Sequence, residues 1–245
     1  MTAPWQGLLM ILFKTINWRF KSKYDFTDLR PIHWLDGIKI TWDHENHTIS
    51  LSQSSSLLRQ FNFTDLKPFS TPMDPNIWYS KDQYPQIPEQ ATEMCHIPYR
   101  KAVGSLLYLT IATCPDIAFP IRTLSQFIDN PGKVHWEGVK HVSQYLAGMR
   151  DWVIIYGMKV KGLEGFTDVD GAMQEHRHVI MGYTFLINGG AVSWSLKKQE
   201  IAMLTTTKSE YVDTTHATKK TIWIHWFIGE VFQLLTNPIP LYSDS

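Results

Sequence analysis

Residues 163–196 read LEGFTDVDGAMQEHRHVIMGYTFLINGGAVSWSL, and their pattern decides the fold. Leu163 to Asp168 and His178 to Ile187 are rich in aromatic and β-branched residues and read as strands, with Ala191 to Leu196 as a third. Asn188-Gly189-Gly190 between the last two is a tight hairpin turn, because Asn and Gly tolerate the positive φ that such turns require. From Thr207 to about Leu234 apolar residues recur at helical spacing through Tyr211, Ala217, Ile222, Trp226 and Val231, and Ile239 to Ser243 reads as a closing strand. Strands, a helix and a strand in that order imply an α/β layered architecture.

Upstream of this stretch the pattern is helical. Tyr99 to Thr113, Pro115 to about Phe127 and Lys133 to Ala147 read as three helices, with Pro115 suited to a first helical position, Gly148 as a stop and Pro120 expected to kink the second. Trp152 to Gly157 reads as a strand. Six prolines between Lys67 and Pro98 mark a linker, and Ser52 to Phe61 a short helix before it. Residues 34–52 alternate in the manner of a hairpin around the polar turn DHENH, with Ile38, Ile40 and Trp42 on one arm and Ile49 and Leu51 on the other.

Composition narrows the functional classes. A 245-residue chain that is 44% hydrophobic buries an ample core. Lys plus Arg and Asp plus Glu are both 23, so no overall basic field advertises a nucleic-acid partner and any such binding must rest on local patches. Cys95 and Cys114 have no metal-ligand spacing and read as free thiols. The apolar run Gly7 to Phe13 is too short to span a bilayer and lacks the flanks of a signal peptide, so the expectation is an intracellular protein, cytoplasmic or nuclear, neither secreted nor membrane-bound.

The string PYRKAVGSLLYLTIATCPDIAFPIRTLSQFIDNPGKVHWEGVKHVSQYLAG, residues 98–148, resembles the region that joins reverse transcriptase to ribonuclease H in copia-type retrotransposon Pol polyproteins. Cys114 departs from the Arg usual there. FTDLRPIHWLDGIKITWDHENHTISLSQ and LKPFSTPMDPN are similar to the end of the family's reverse transcriptase. The resemblance implies a remnant of that domain over 1–75, a linker over 76–97, a helical connection over 98–150 and an incomplete ribonuclease H-like fold over 151–245. No adjacent Asp-Asp pair occurs in the chain, so polymerase activity is not expected.

Three segments carry the chemistry that the resemblance implies. GFTD places Asp168 at the family's first catalytic carboxylate, TTTKSEYV places Glu210 at the helix carboxylate, and PLYSDS places Asp244 at the third. Ribonuclease H hydrolyses the RNA strand of an RNA:DNA hybrid with two divalent ions about 4 Å apart, and Mg²⁺ or Mn²⁺ at such a site requires oxygen ligands. Asp168, Glu210 and Asp244 are therefore both the expected metal ligands and the catalytic set. Lys197 and Lys198 in SWSLKKQE, with Arg177, are candidate phosphate contacts to a hybrid or another nucleic acid. The expected protein partner is the rest of a Pol polyprotein.

Each residue also has a plainer reading. Asp168 and Asp170 fit solvated carboxylates near a strand end, Asp170 more so if the strand has already stopped. Thr207 and Glu210 have capping-box spacing. Asp244 fits an exposed terminal residue, Lys197 and Lys198 a solvated hairpin pair, and His176 and His178 surface histidines rather than zinc ligands. Trp223 and Trp226, among Ile222, Ile224 and Phe227, are expected in the core. The stretch VDGAMQEHRHVIMGY departs from the family's loop after its first Asp, and no later helix carrying a fourth carboxylate is present in the sequence. The alternative expectation is therefore a non-catalytic transposon relic with at most weak nucleic-acid binding.

Overall fold

The computed structural model describes residues 21–22, 25, 27, 31–53, 58, 61, 63, 66–157, 162–170, 180–198, 206–232 and 238–243, with the side chains of 169–170, 198, 206–213 and 231–232 outside the description. The chain is α/β. Its described residues form two four-stranded sheets and five α-helices, grouped into two compact units.

The first unit comprises His33–Val160 and Asn188–Leu196. Its sheet runs β1 (Trp34–Leu35), β2 (Ile38–Asp43), β3 (Thr48–Ser52) and β4 (Ile154–Tyr156), neighbours antiparallel throughout. The DHENH turn forms as expected because the Asp43 carboxylate accepts the backbone N–H groups of Glu45 and Asn46 at 3.0 Å each, which closes the chain on itself. The same bonds, led by Asn46, hold the Asp43 carboxyl below its usual range.

This unit has four described α-helices, α1 (Pro88–Cys95), α2 (Tyr99–Ala112), α3 (Ala118–Ser125) and α4 (Lys133–Gly148), and the last three build its core. Tyr99, Val103, Leu106 and Leu109 recur at helical spacing along α2 and are buried against Ile117, Ile121, Leu124, Val139, Val142 and Leu146. Each such side chain contributes about 1.5–3 kcal/mol by leaving water. The buried Tyr99 hydroxyl donates to the Leu124 carbonyl at 2.8 Å, so the polar end of the ring is satisfied.

Two local expectations change here. A helix begins at Pro88 inside the proline-rich linker, because proline at a first helical position loses no hydrogen bond. Residues 115–117 form a 3₁₀ turn and the α-helix starts only at Ala118, so Pro120 sits in its first turn, where no intrahelical N–H is required. The expected helix at 52–61 lies largely outside the described residues.

Residues 188–196 are fastened to this unit by side chains. The Trp194 indole N–H donates to the Thr110 carbonyl at 2.7 Å, Arg122 Nη1 to the Leu196 carbonyl at 2.9 Å and the Tyr156 hydroxyl to the Ala191 carbonyl at 2.6 Å. Burial lowers the pKa of the Arg122 guanidinium and raises that of the Tyr156 hydroxyl.

The second unit comprises 1–32, 161–187 and 197–245. Here β5 (Leu163–Asp170) pairs antiparallel with β6 (Ile180–Ile187) and parallel with β8 (Leu241–Ser243). The order of the strands within this unit is β6-β5-β8, and the turn at Asn188 and Gly189, both with positive φ, leads into β7 (Gly190–Lys198), most of which belongs to the first unit. The 27-residue helix α5 (Thr206–Phe232) lies in sequence between the parallel strands and covers one sheet face, packing Ile224 and Ile228 on Leu163, Phe185 and Leu241. Gly165 makes room for that packing, since a Cβ there would lie 2.6 Å from the Phe185 ring. No described helix is long and apolar enough to cross a membrane.

Candidate functional site

Alternation along β5 divides its residues between two environments. Leu163, Gly165 and Thr167 are buried on the face that α5 covers, whereas Phe166 and Asp168 are exposed on the other. Thr167 is anchored by its hydroxyl, which donates to the Gly182 carbonyl at 3.3 Å. Asp168 pairs in register with Gly182 and presents its carboxylate to solvent. Beside it Phe166 stacks on Tyr242 of β8, ring centroids 5.2 Å apart, an exposed aromatic pair that sequence reasoning missed. The aromatic second residue that GFTD and LYS share is the signal that pairs them, since Phe166 and Tyr242 stand in register.

The register between β5 and β8 is the informative feature. Thr167 pairs with Ser243, and each immediately precedes a candidate carboxylate, Asp168 or Asp244. Asp244 itself lies outside the described residues, as do Arg177, His176 and His178. Asp168 is not at the end of its strand: β5 continues through Asp170, which pairs with Ile180, so the reading in which the strand had stopped is corrected.

Glu210 is the fifth residue of α5, and its side chain lies outside the description. The helix begins at Thr206, which puts Thr207 inside it rather than at the cap. Lys197 is exposed near the end of β7, and Lys198 is the last residue of that strand. Among the described residues no three His, Cys, Asp or Glu side chains gather as a metal-binding group. Asp168 offers a hard oxygen donor of the type a divalent cation takes.

Over 228 residues the chain is 37% identical to the retrovirus-related Pol polyprotein from transposon TNT 1-94 of Nicotiana tabacum, a match covering 91% of this chain. A second such polyprotein, from transposon RE1 of Arabidopsis thaliana, is 31% identical over 240 residues, 96% of this chain. The chain belongs to the retrovirus-related Pol polyproteins of transposons. It spans 17% and 16% of the lengths of those two relatives. This Pol segment is also 37% identical over 133 residues to the secreted RxLR effector protein 161 of Plasmopara viticola, covering 54% of the segment and 94% of that protein. No family model and no solved structure matches the segment.

One site expectation is overturned in the Pol segment. Trp223 and Trp226 are not core residues: they are 55% and 73% exposed. Among the described residues the helix that carries them packs on one sheet face, through Ile224 and Ile228, with Ala217 buried on the same side. Neither Cys95 nor Cys114 is in a disulfide, as their spacing implied.

Proposed function

We propose that the second unit is a ribonuclease H-type domain of a transposon Pol polyprotein, hydrolysing the RNA strand of RNA:DNA hybrids. The observation that carries this reading is the parallel register of β5 and β8, which pairs Thr167 with Ser243 and so aligns the residues just before Asp168 and Asp244. The strand order β6-β5-β8, with a helix between the two parallel strands, supports a ribonuclease H-like fold.

Asp168, Glu210 and Asp244 are the residues to hold Mg²⁺ or Mn²⁺, and bound ions would supply water activation and stabilise the departing oxygen. The exposure of Asp168 leaves its carboxylate accessible to a cation and a phosphodiester. Lys197, Lys198 and Arg177 would supply cationic contacts to hybrid phosphates, positioning the strand without reading its sequence. The partner reading is the remainder of the polyprotein.

One observation favours a second reading, a non-catalytic relic with at most weak nucleic-acid binding. Asp168 stands on the sheet face opposite the one covered by α5, the helix that bears Glu210. A Mg²⁺-dependent cleavage assay on a labelled RNA:DNA hybrid separates the two. Cleavage by the native chain that disappears in Asp168→Asn supports the nuclease; absence of cleavage supports the relic.

A further inference from the structure

The long helix of the second unit carries a stripe that its own sheet does not use. α5 buries Ala217 and Ile224, with Thr221 and Ile228 half-buried at the same azimuth. Residues 216, 219, 220, 223, 226, 227 and 230 follow one another at helical spacing and form the outward stripe. Trp223, Trp226 and Phe227 are all more than half exposed. The Trp223 and Phe227 rings stack at 5.4 Å with 5° between their planes, and Lys220 Nζ lies 4.2 Å from the Trp223 ring centre. Exposed aromatics in a contiguous patch of this kind mark association surfaces.

The order of chemistry along the stripe identifies the occupant. Cations come first at Lys219 and Lys220, aromatics occupy the middle, and a carboxylate comes last at Glu230. Positions 220 and 230 are equidistant from 225, and so are 223 and 227. A two-fold axis through that point sends position 220 onto 230 and 223 onto 227, which sets cation against carboxylate and ring against ring in an antiparallel copy. A nucleic-acid strand fits less well, because the chain has zero formal charge and the stripe ends in a carboxylate that repels phosphate.

We propose that α5 is a self-association surface, pairing antiparallel with α5 of a second copy about a two-fold axis near residue 225. Lys220 of each copy faces Glu230 of the other, and the two such pairs lie about 15 Å apart along the helix axis. Trp223 faces Phe227, and the two Trp226 side chains meet near the axis and exclude water from the centre. This inference is independent of nuclease activity.

Sedimentation velocity of the full chain over a dilution series tests it. The native chain is expected to show a reversible monomer–dimer equilibrium, and Trp226→Ala to raise the dimer dissociation constant about tenfold or more. Lys220→Glu and Glu230→Lys each weaken the dimer, and the two together restore it by swapping the charges. Circular dichroism matching the native chain separates loss of association from loss of fold. Hydrogen exchange on the native chain provides a measurement without substitution, with amides of 219–230 more protected at high concentration. A monomer throughout, a dimer indifferent to Trp226→Ala, or a charge swap no better than its single components overturns the proposal.

Discussion

Acidification should unload stability from the first unit through one side chain, His135. The imidazole is fully buried in the third position of α4, where Nδ1 accepts the Gly132 N–H at 2.8 Å and so the neutral tautomer carries its proton on Nε2. Phe127 stacks on it at 4.1 Å, with the Tyr79 and Tyr84 rings at 6.0 Å. Burial pushes its pKa below the ordinary 6.5, and the Ser80 backbone offsets part of that shift. Protonation also removes the acceptor that caps the helix. The sign follows directly: below pH 6.5 the unfolded chain binds a proton that the folded chain refuses, so the stability His135 contributes is full above 6.5 and falls with pH. One proton of difference gives a slope approaching about 1.4 kcal/mol per pH unit, until the folded-state pKa is reached. His135→Gln keeps an acceptor able to reach the Gly132 N–H but does not titrate. It should cost about 2–4 kcal/mol at neutral pH, from the lost ring packing, and should remove this slope. Urea denaturation of both chains between about pH 5 and 8 reads the difference. Equal slopes in the two chains would refute the reasoning.

Three further outcomes follow from the packing. Trp194→Phe leaves the Thr110 carbonyl without its indole donor and should destabilise the first unit by about 1–2 kcal/mol in denaturant titrations. Tyr99→Phe should cost a similar ~1–2 kcal/mol, because the Leu124 carbonyl loses its buried hydroxyl partner while the ring remains. Gly165→Ala drives a Cβ to 2.6 Å from Phe185 and 2.9 Å from Leu241; a loss of about 1–3 kcal/mol and faster hydrogen exchange in β5 are expected.

Much of this architecture was legible in the sequence for local reasons. Alternation and an Asp-led polar turn identify the β2–β3 hairpin, and the Tyr99–Val103–Leu106 spacing identifies α2 and its buried stripe. The start of α3 was misplaced at Pro115 because a 3₁₀ turn delays it by three residues, a shift that composition does not signal. Trp223 and Trp226 misled for a different reason: apolar residues run nearly all round α5, and periodicity alone does not say how many faces its neighbours cover. At the candidate site, motif order named Asp168, Glu210 and Asp244, but only the register of β5 with β8 relates the first strand to the last. His135 escaped notice because burial of a single polar ring among Phe127, Tyr79 and Tyr84 is a tertiary fact.

The central claim, that the second unit is a ribonuclease H-type centre built on Asp168, is tested most directly by single-turnover cleavage of a labelled RNA:DNA hybrid in Mg²⁺. The native chain should cut the RNA strand, and Asp168→Asn and Glu210→Gln should each lower the rate by about 100-fold or more at unchanged circular dichroism. No cleavage by the native chain, or cleavage that survives Asp168→Asn, would contradict it.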